Sequence, residues 1–228
     1  MIMKRLFFIA CLLSISAAVF AQEEKPVSDK KVSPELSALQ TAAGLAKYGY
    51  ENYSATALIE AAKIIAETPV QELDVQGVPS EVQQVQEKST CLRLDPEQLL
   101  ADAQKYAGKD KVVLNYAKRV KKIVDGRVSS TRGAVGGPRY GESRVYGKCY
   151  VDYQVKFWAN ELAEVIVIGD GDNDLDLYIY DQNGNLIASD SDYTDQCVCR
   201  WVPSWTGSFR IRIVNRGAIY SNFAIATN

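Results

Sequence analysis

Apolar residues recur along this chain with two different periods, and the change between them divides it. After Ser33-Pro34-Glu35, an N-cap with proline at the first helical position, Leu36, Leu39, Ala43 and Ala46 follow at spacings of three and four. They predict a helix that Gly49 ends near Tyr48. Ser54 caps a second helix, with Ala57, Leu58, Ala61, Ile64 and Ile65 on its apolar face and Pro69 as its stop. A short joining loop makes the two an antiparallel hairpin. Residues 69–90 scatter Val and Leu among Gln and Glu and read as a loop with one short helix. A second hairpin opens on Asp95-Pro96-Glu97-Gln98, carries Leu99, Leu100, Ala103 and Tyr106 inward, and stops at Gly108. Asp110 caps its partner, where Val113, Leu114, Ala117, Val120, Ile123 and Val124 face inward and Gly126 closes the helix. Lys118, Arg119, Lys121 and Lys122 read as a solvated face that complements the helix dipole. Each hairpin exposes an apolar stripe too large to leave wet, so the two are expected to stack as helical repeats do.

Residues 127–140 hold Ser129, Ser130, Thr131, Gly133, Gly136, Gly137 and Pro138, and read as a linker. Beyond them the period becomes two. Cys149, Val151, Tyr153, Val155 and Phe157 share one side of a strand, and 164–168 forms a second. Across 174–181, Leu175, Leu177 and Ile179 oppose Asp174, Asp176, Tyr178 and Tyr180. Asn183-Gly184 marks a hairpin turn into 186–188. Strands at 197–202, 208–214 and 222–227 complete an antiparallel β-sandwich of jelly-roll-like character, with Trp201 and Trp205 in its core. The chain is therefore expected to be α+β in two domains: an α-helical domain at 32–126, the linker at 127–140 and a β-sandwich at 141–228.

Several motifs in the second half fall in a recognisable order. They are Gly169-Asp170-Gly171-Asp172-Asn173-Asp174-Leu175-Asp176-Leu177-Tyr178, then Asp181-Gln182-Asn183-Gly184-Asn185-Leu186-Ile187-Ala188-Ser189-Asp190, then Trp205-Thr206-Gly207-Ser208-Phe209-Arg210-Ile211-Arg212-Ile213-Val214-Asn215. In these, residues 141–228 resemble the bacterial pre-peptidase C-terminal domain. The resemblance implies a β-sandwich appended to secreted proteins as a substrate- or surface-binding accessory, here without a peptidase domain before it.

The N-terminus changes the picture by assigning a compartment. Lys4 and Arg5 precede an apolar run at 6–19, and Val19-Phe20-Ala21 offers a cleavage site, the layout of a secretory signal peptide spanning 1–21. The run is shorter than the ~20 residues a membrane span needs, and no later segment is apolar enough to span one. Residues 22–31 read as a flexible leader, and the protein is expected in the periplasm or outside the cell. There the even set Cys91, Cys149, Cys197 and Cys199 favours disulfides over a zinc site, because Cys197-Val198-Cys199 lacks the spacing of a zinc knuckle. Cys149 is the natural partner for that pair. The formal charge is −2, and −4 once Lys4 and Arg5 are removed, which excludes a basic field for nucleic acid.

No histidine occurs, which removes Ser-His-Asp and Cys-His catalysis and histidine-ligated zinc. The remaining chemistry lies in carboxylates and aromatics. Asp170, Asp172 and Asp174, converging with Asp190 and Asp192, could supply oxygens to calcium, although 170–181 lacks the glycine and glutamate of an EF-hand. Otherwise these residues make turns, and Asp176 pairs across strands with Arg210 or Arg212. Asp176, Tyr178 and Tyr180 share one face and form the candidate binding surface. The reading is an exported, non-catalytic protein that joins a binding module to a helical interaction domain. Its expected partner is a protein, glycan or cell-surface component. A carboxylate-dependent secreted hydrolase or its accessory subunit, and a structural envelope protein, are the alternatives.

Overall fold

Side-chain caps begin three of the helices where the sequence places them. The computed structural model describes Lys25–Pro26, residues 32–80, 94–130 and 138–228, and these include α1 (Pro34–Glu51), α2 (Ala55–Glu67), α3 (Pro96–Ala107) and α4 (Lys111–Ser130). Ser54 Oγ accepts from Ala57 N–H, Asp95 from Glu97 and Gln98 N–H, and Asp110 from Val112 and Val113 N–H. These bonds satisfy donors that have no partner within the helix. Ser33 departs from the expectation: its side chain caps nothing, and its N–H donates instead to Glu164 Oε2 at 3.0 Å.

Two glycines do not stop their helices. α1 continues past Gly49 to Glu51, and a Cβ at Gly49 would lie 2.5 Å from Leu58 Cδ2. That glycine lets α1 and α2 approach closely. α4 likewise runs through Gly126 to Ser130, into the expected linker. An interior glycine costs only about 1 kcal/mol, and Lys121 pairs with Asp125 one turn earlier. α2 lies at the centre of the helical layer, packed on α1, α3 and α4.

The sandwich is built from β4 (Arg139–Val145), β5 (Tyr150–Phe157), β6 (Ala163–Gly169), β7 (Leu175–Tyr180), β8 (Leu186–Asp190), β9 (Gln196–Val202), β10 (Gly207–Asn215) and β11 (Ser221–Thr227). Three two-residue strands extend it: β1 (Lys25–Pro26), β2 (Gln71–Glu72) and β3 (Val78–Pro79). One sheet runs β1-β9-β6-β11-β4-β2 and the other β3-β5-β10-β7-β8. Successive long strands change sheet at every step except the β7–β8 hairpin, which is the connectivity of a jelly roll. The whole is an α+β arrangement of four helices among the described residues, followed by a sandwich.

The segment at 71–79, read from sequence as loop and short helix, instead pairs with both sheets. β2 lies parallel to β4, and β3 lies antiparallel to β5. β4 itself begins at Arg139, inside the expected linker, and further along it Gly141 admits the Leu73 side chain: a Cβ at Gly141 would stand 3.1 Å from Leu73 Cβ. Lys25–Pro26, in the expected leader, pairs with β9. The expected signal peptide at 1–21 and the rest of the expected leader lie outside the described residues.

Two apolar clusters result. Between the sheets lie Val151, Phe157, Leu177, Trp201, Phe209 and Ile211, among others. On the opposite face of the six-stranded sheet, Ile166, Ile168, Ala224 and Ala226 join the helical core of Leu36, Leu58, Ile65 and Leu99. β6 is buried at all seven positions, because it is covered on both faces. The molecule therefore has three layers: helices, six-stranded sheet, five-stranded sheet. Glu164 ties the first two, accepting from Ser33 N–H in the helical part and from Arg200 Nε on β9 at 2.9 Å.

Candidate binding face

Helices cover one outer face of the sandwich, and among the described residues the outer face of the five-stranded sheet carries no such layer. Strict alternation along β5, β7 and β10 buries one set of side chains between the sheets and turns the other outward. The register fixes the outward rows. Arg210 stands between Gln154 and Tyr180, and Arg212 between Asp152 and Tyr178. Val214 stands between Tyr150 and Asp176, with Ser208 opposite Lys156.

The rows are bound by stacked cations and rings. Arg212 lies 3.8 Å from the Tyr150 ring centroid and 6.0 Å from that of Tyr180, while Arg210 lies 4.6 Å from Tyr180. Tyr178 and Tyr180 stack at 6.4 Å. Such cation–π contacts contribute about 0.5–1 kcal/mol each where solvent reaches them. Arg212 also holds Asp152 through two donors, Nε and Nη2, each at 2.7 Å. That bond raises the arginine's proton affinity, against the opposing effect of burial.

Asp176 departs from the sequence reading. It is 4% exposed and pairs with neither Arg210 nor Arg212. Its partner is Arg216, whose Nε donates to Oδ2 at 2.6 Å, and Tyr178 Oη donates to the same oxygen at 2.8 Å. Arg216 Nη2 in turn donates to Tyr178 Oη at 3.0 Å. Burial and the bond to Asp176 push the Tyr178 phenol up, with Arg216 acting against them. Arg216 lies just past the end of β10, so the pleat alone does not place it. Of the three expected surface residues, Tyr178 and Tyr180 are half-buried on the face, and Asp176 is buried there, anchoring Tyr178 and Arg216. Sequence reasoning left Tyr150 out of the face and named Arg210 and Arg212 only as partners for Asp176. Their signal is the alternation of Arg210-Ile211-Arg212 and Tyr150-Val151-Asp152.

The remaining acidic candidates are used separately. Asp170 accepts from Ser221 Oγ and Asn222 N–H, Asp190 from Val198 N–H, and Asp192 from Thr194. Asp172 is exposed in the loop after β6. The Asp174 carboxyl is held above its usual range by burial first, then by the Asp176 charge. At Gly171, with φ of +90°, a Cβ would meet Lys47 Cε and Nζ at 3.2 Å, so α1 delivers an ammonium group to this loop. Among the described residues, no group of three or more His, Cys, Asp or Glu stands close enough to hold a metal ion.

Cys149, Cys197 and Cys199 are all buried, and no disulfide joins them to one another. The Cys197 thiol donates to Leu175 O at 3.0 Å, and burial pushes its proton affinity well up. Cys91 lies outside the described residues. Trp201 is fully buried against Phe157 and Phe209, and Trp205 stacks on Phe209.

No protein-family model matches the chain, and no curated relative matches it. Similar solved structures include a periplasmic inhibitor of g-type lysozyme, PliG, from Aeromonas hydrophila. It shares 15% identity over 42% of this chain and 90% of its own, with a TM-score of 0.33. PliG from Salmonella Typhimurium shares 14% over 42% and 92%, with a TM-score of 0.31. Likenesses this low carry no functional argument. Among the described residues, no helix is long and apolar enough to cross a membrane.

Proposed function

We propose that this chain is an exported, non-catalytic binding protein whose ligand lies across the outer face of the five-stranded sheet. The observation that carries the reading is the Tyr150–Arg212–Tyr180–Arg210 ladder on the face opposite the helical layer. A cover of helices gives the six-stranded sheet its structural role; no comparable cover among the described residues accounts for the second face. Tyrosine and arginine held rigid by mutual stacking lose little conformational entropy when a ligand arrives, which is why such residues dominate binding hot spots. The two carboxylates of the face, Asp152 and Asp176, are each held by an arginine. They serve to position guanidinium groups rather than to transfer protons. Export rests on the signal-peptide pattern at 1–21, and the resemblance to pre-peptidase C-terminal domains points toward the same accessory role.

The test is saturable binding of the mature protein to immobilised cell-envelope components. Replacing Tyr150 and Tyr180 together by Ala is expected to abolish binding without unfolding the chain. Lys118→Ala with Lys122→Ala, on the exposed side of α4, is expected to leave it intact. Binding indifferent to the tyrosines, or a hydrolase activity lost in Asp172→Asn or Asp174→Asn, would overturn the proposal.

A further inference from the structure

Resting on that face as the binding surface, we infer that its partner is a protein presenting an acidic patch, seated on the unneutralised cations Arg210 and Lys156. The arginines of the face are not equivalent. Arg212 and Arg216 are neutralised by Asp152 and Asp176. Arg210 is half-buried on the Tyr180 ring, its Nε has no hydrogen-bond acceptor, and no carboxylate reaches ion-pair distance among the described residues. Lys156 leans over the Trp158 ring at 5.0 Å, and Glu161 lines the same cleft without pairing with it. Because Arg210 faces Gln154 and Ser208 faces Lys156, the two cations are diagonal neighbours, roughly 7–8 Å apart at the backbone. An otherwise acidic protein thus carries a local excess of positive charge on the outer face of its five-stranded sheet, which no helix covers among the described residues.

Two features favour a protein over an acidic glycan. A sugar ring stacks on a bare aromatic face, but guanidinium groups already occupy the faces of Tyr150 and Tyr180. Around the charged centre stand exposed apolar groups, Val78 at 67%, Leu186 at 53% and Trp158 at 59%. Val78 lies opposite Asp152 and Leu186 opposite Tyr180, so they border the face on its two edges. Arginine and aromatics within an apolar border are the composition that protein interfaces favour. The face measures roughly 24 Å across its five strands and roughly 25 Å along β5 and β10, and is shorter along β3, β7 and β8. With side-chain relief, that is the order of the ~800 Å² each partner contributes to a standard interface.

The test titrates the full chain with poly-L-glutamate, with polygalacturonate and poly-L-lysine as comparison probes. Poly-L-glutamate is expected to bind best, to weaken as salt rises, and to lose about tenfold in affinity with Arg210→Ala plus Lys156→Ala. Lys118→Ala with Lys122→Ala should leave it unchanged, and circular dichroism should show every variant folded. Equal or tighter binding of polygalacturonate, or no loss in the Arg210/Lys156 variant, would overturn the inference. If the Tyr150/Tyr180 variant still loses envelope binding in that case, the face stands as the binding surface and only the acidic partner falls.

Discussion

Removing the Glu164 carboxylate should destabilise the six-stranded sheet and weaken its polar tie to the helical layer. The side chain is 2% exposed and its partner Arg200 is 10% exposed, so solvent cannot replace what is lost. Glu164→Ala deletes the acceptor for Arg200 Nε at 2.9 Å and for Ser33 N–H at 3.0 Å. Hydrogen bonds to a charged group contribute about 1.5–3 kcal/mol each, and breaking one side of a buried ion pair costs about 3–5 kcal/mol. Both routes give a loss of about 3–5 kcal/mol, which lowers Tm on the order of 10 °C for a chain of this size. The assay is thermal unfolding by calorimetry, with Glu164→Leu/Arg200→Leu as a second variant. Taking out both charges leaves no guanidinium uncompensated, so the double variant should recover most of the loss. A single variant within about 1 kcal/mol of the parent, or a double variant as unstable as the single, refutes the reasoning.

Gly49→Ala forces a methyl group to 2.5 Å from Leu58 Cδ2 and 3.2 Å from Leu58 N. It should cost about 1–3 kcal/mol by overpacking, measured by urea denaturation; a gain in stability would show that α1 and α2 separate freely. Asp181 and Asp174 should respond to acid with opposite signs. Burial alone would raise the Asp181 carboxyl, but donors from Asn185, Asn183 and Gly184 outweigh it and hold it low. Its contribution is thus complete above the ordinary value near 3.8 and is lost as pH falls through the lower folded value. Asp181→Asn should flatten that part of the stability profile. Asp174 is shifted upward, so the folded state holds its proton longer and loses stability as pH rises past 3.8. Asp174→Asn should therefore stabilise the protein at pH 7 relative to pH 3, and a destabilising effect confined to pH 7 would contradict the sign.

How much could be read beforehand depended on whether the cause was local. Asp95-Pro96 and Asp110 mark helix starts because capping needs only the next three residues. The alternation in β7 and β10 is equally local, and it placed Tyr178 and Tyr180 on the outward side. β2 and β3 are two residues each, too short to carry a period, and their partners lie some 70 residues away. The layering did have a signal that went unused. Val165-Ile166-Val167-Ile168 and Phe223-Ala224-Ile225-Ala226 are continuous apolar runs, the mark of strands covered on both faces. Those runs distinguish the sheet that the helices cover from the alternating sheet left open. The Arg216–Asp176 pair could not be read from the pleat, since Arg216 reaches back from beyond its strand.

The edge strands have a consequence for how the chain reaches this state. Between its two helical hairpins the polypeptide touches the border of each sheet, and Ser33 meets a glutamate 131 positions later. Neither the helices' apolar underside nor the sandwich borders can be completed from neighbouring sequence. Large loops must close before any of these contacts forms, and such topologies fold slowly, in milliseconds to seconds rather than microseconds. Until β6 and β11 are in place, the part of the helical core that Ile166, Ile168, Ala224 and Ala226 complete stays open. If the chain is exported as proposed, and unfolded, it would pass through that interval where its thiols meet an oxidising compartment.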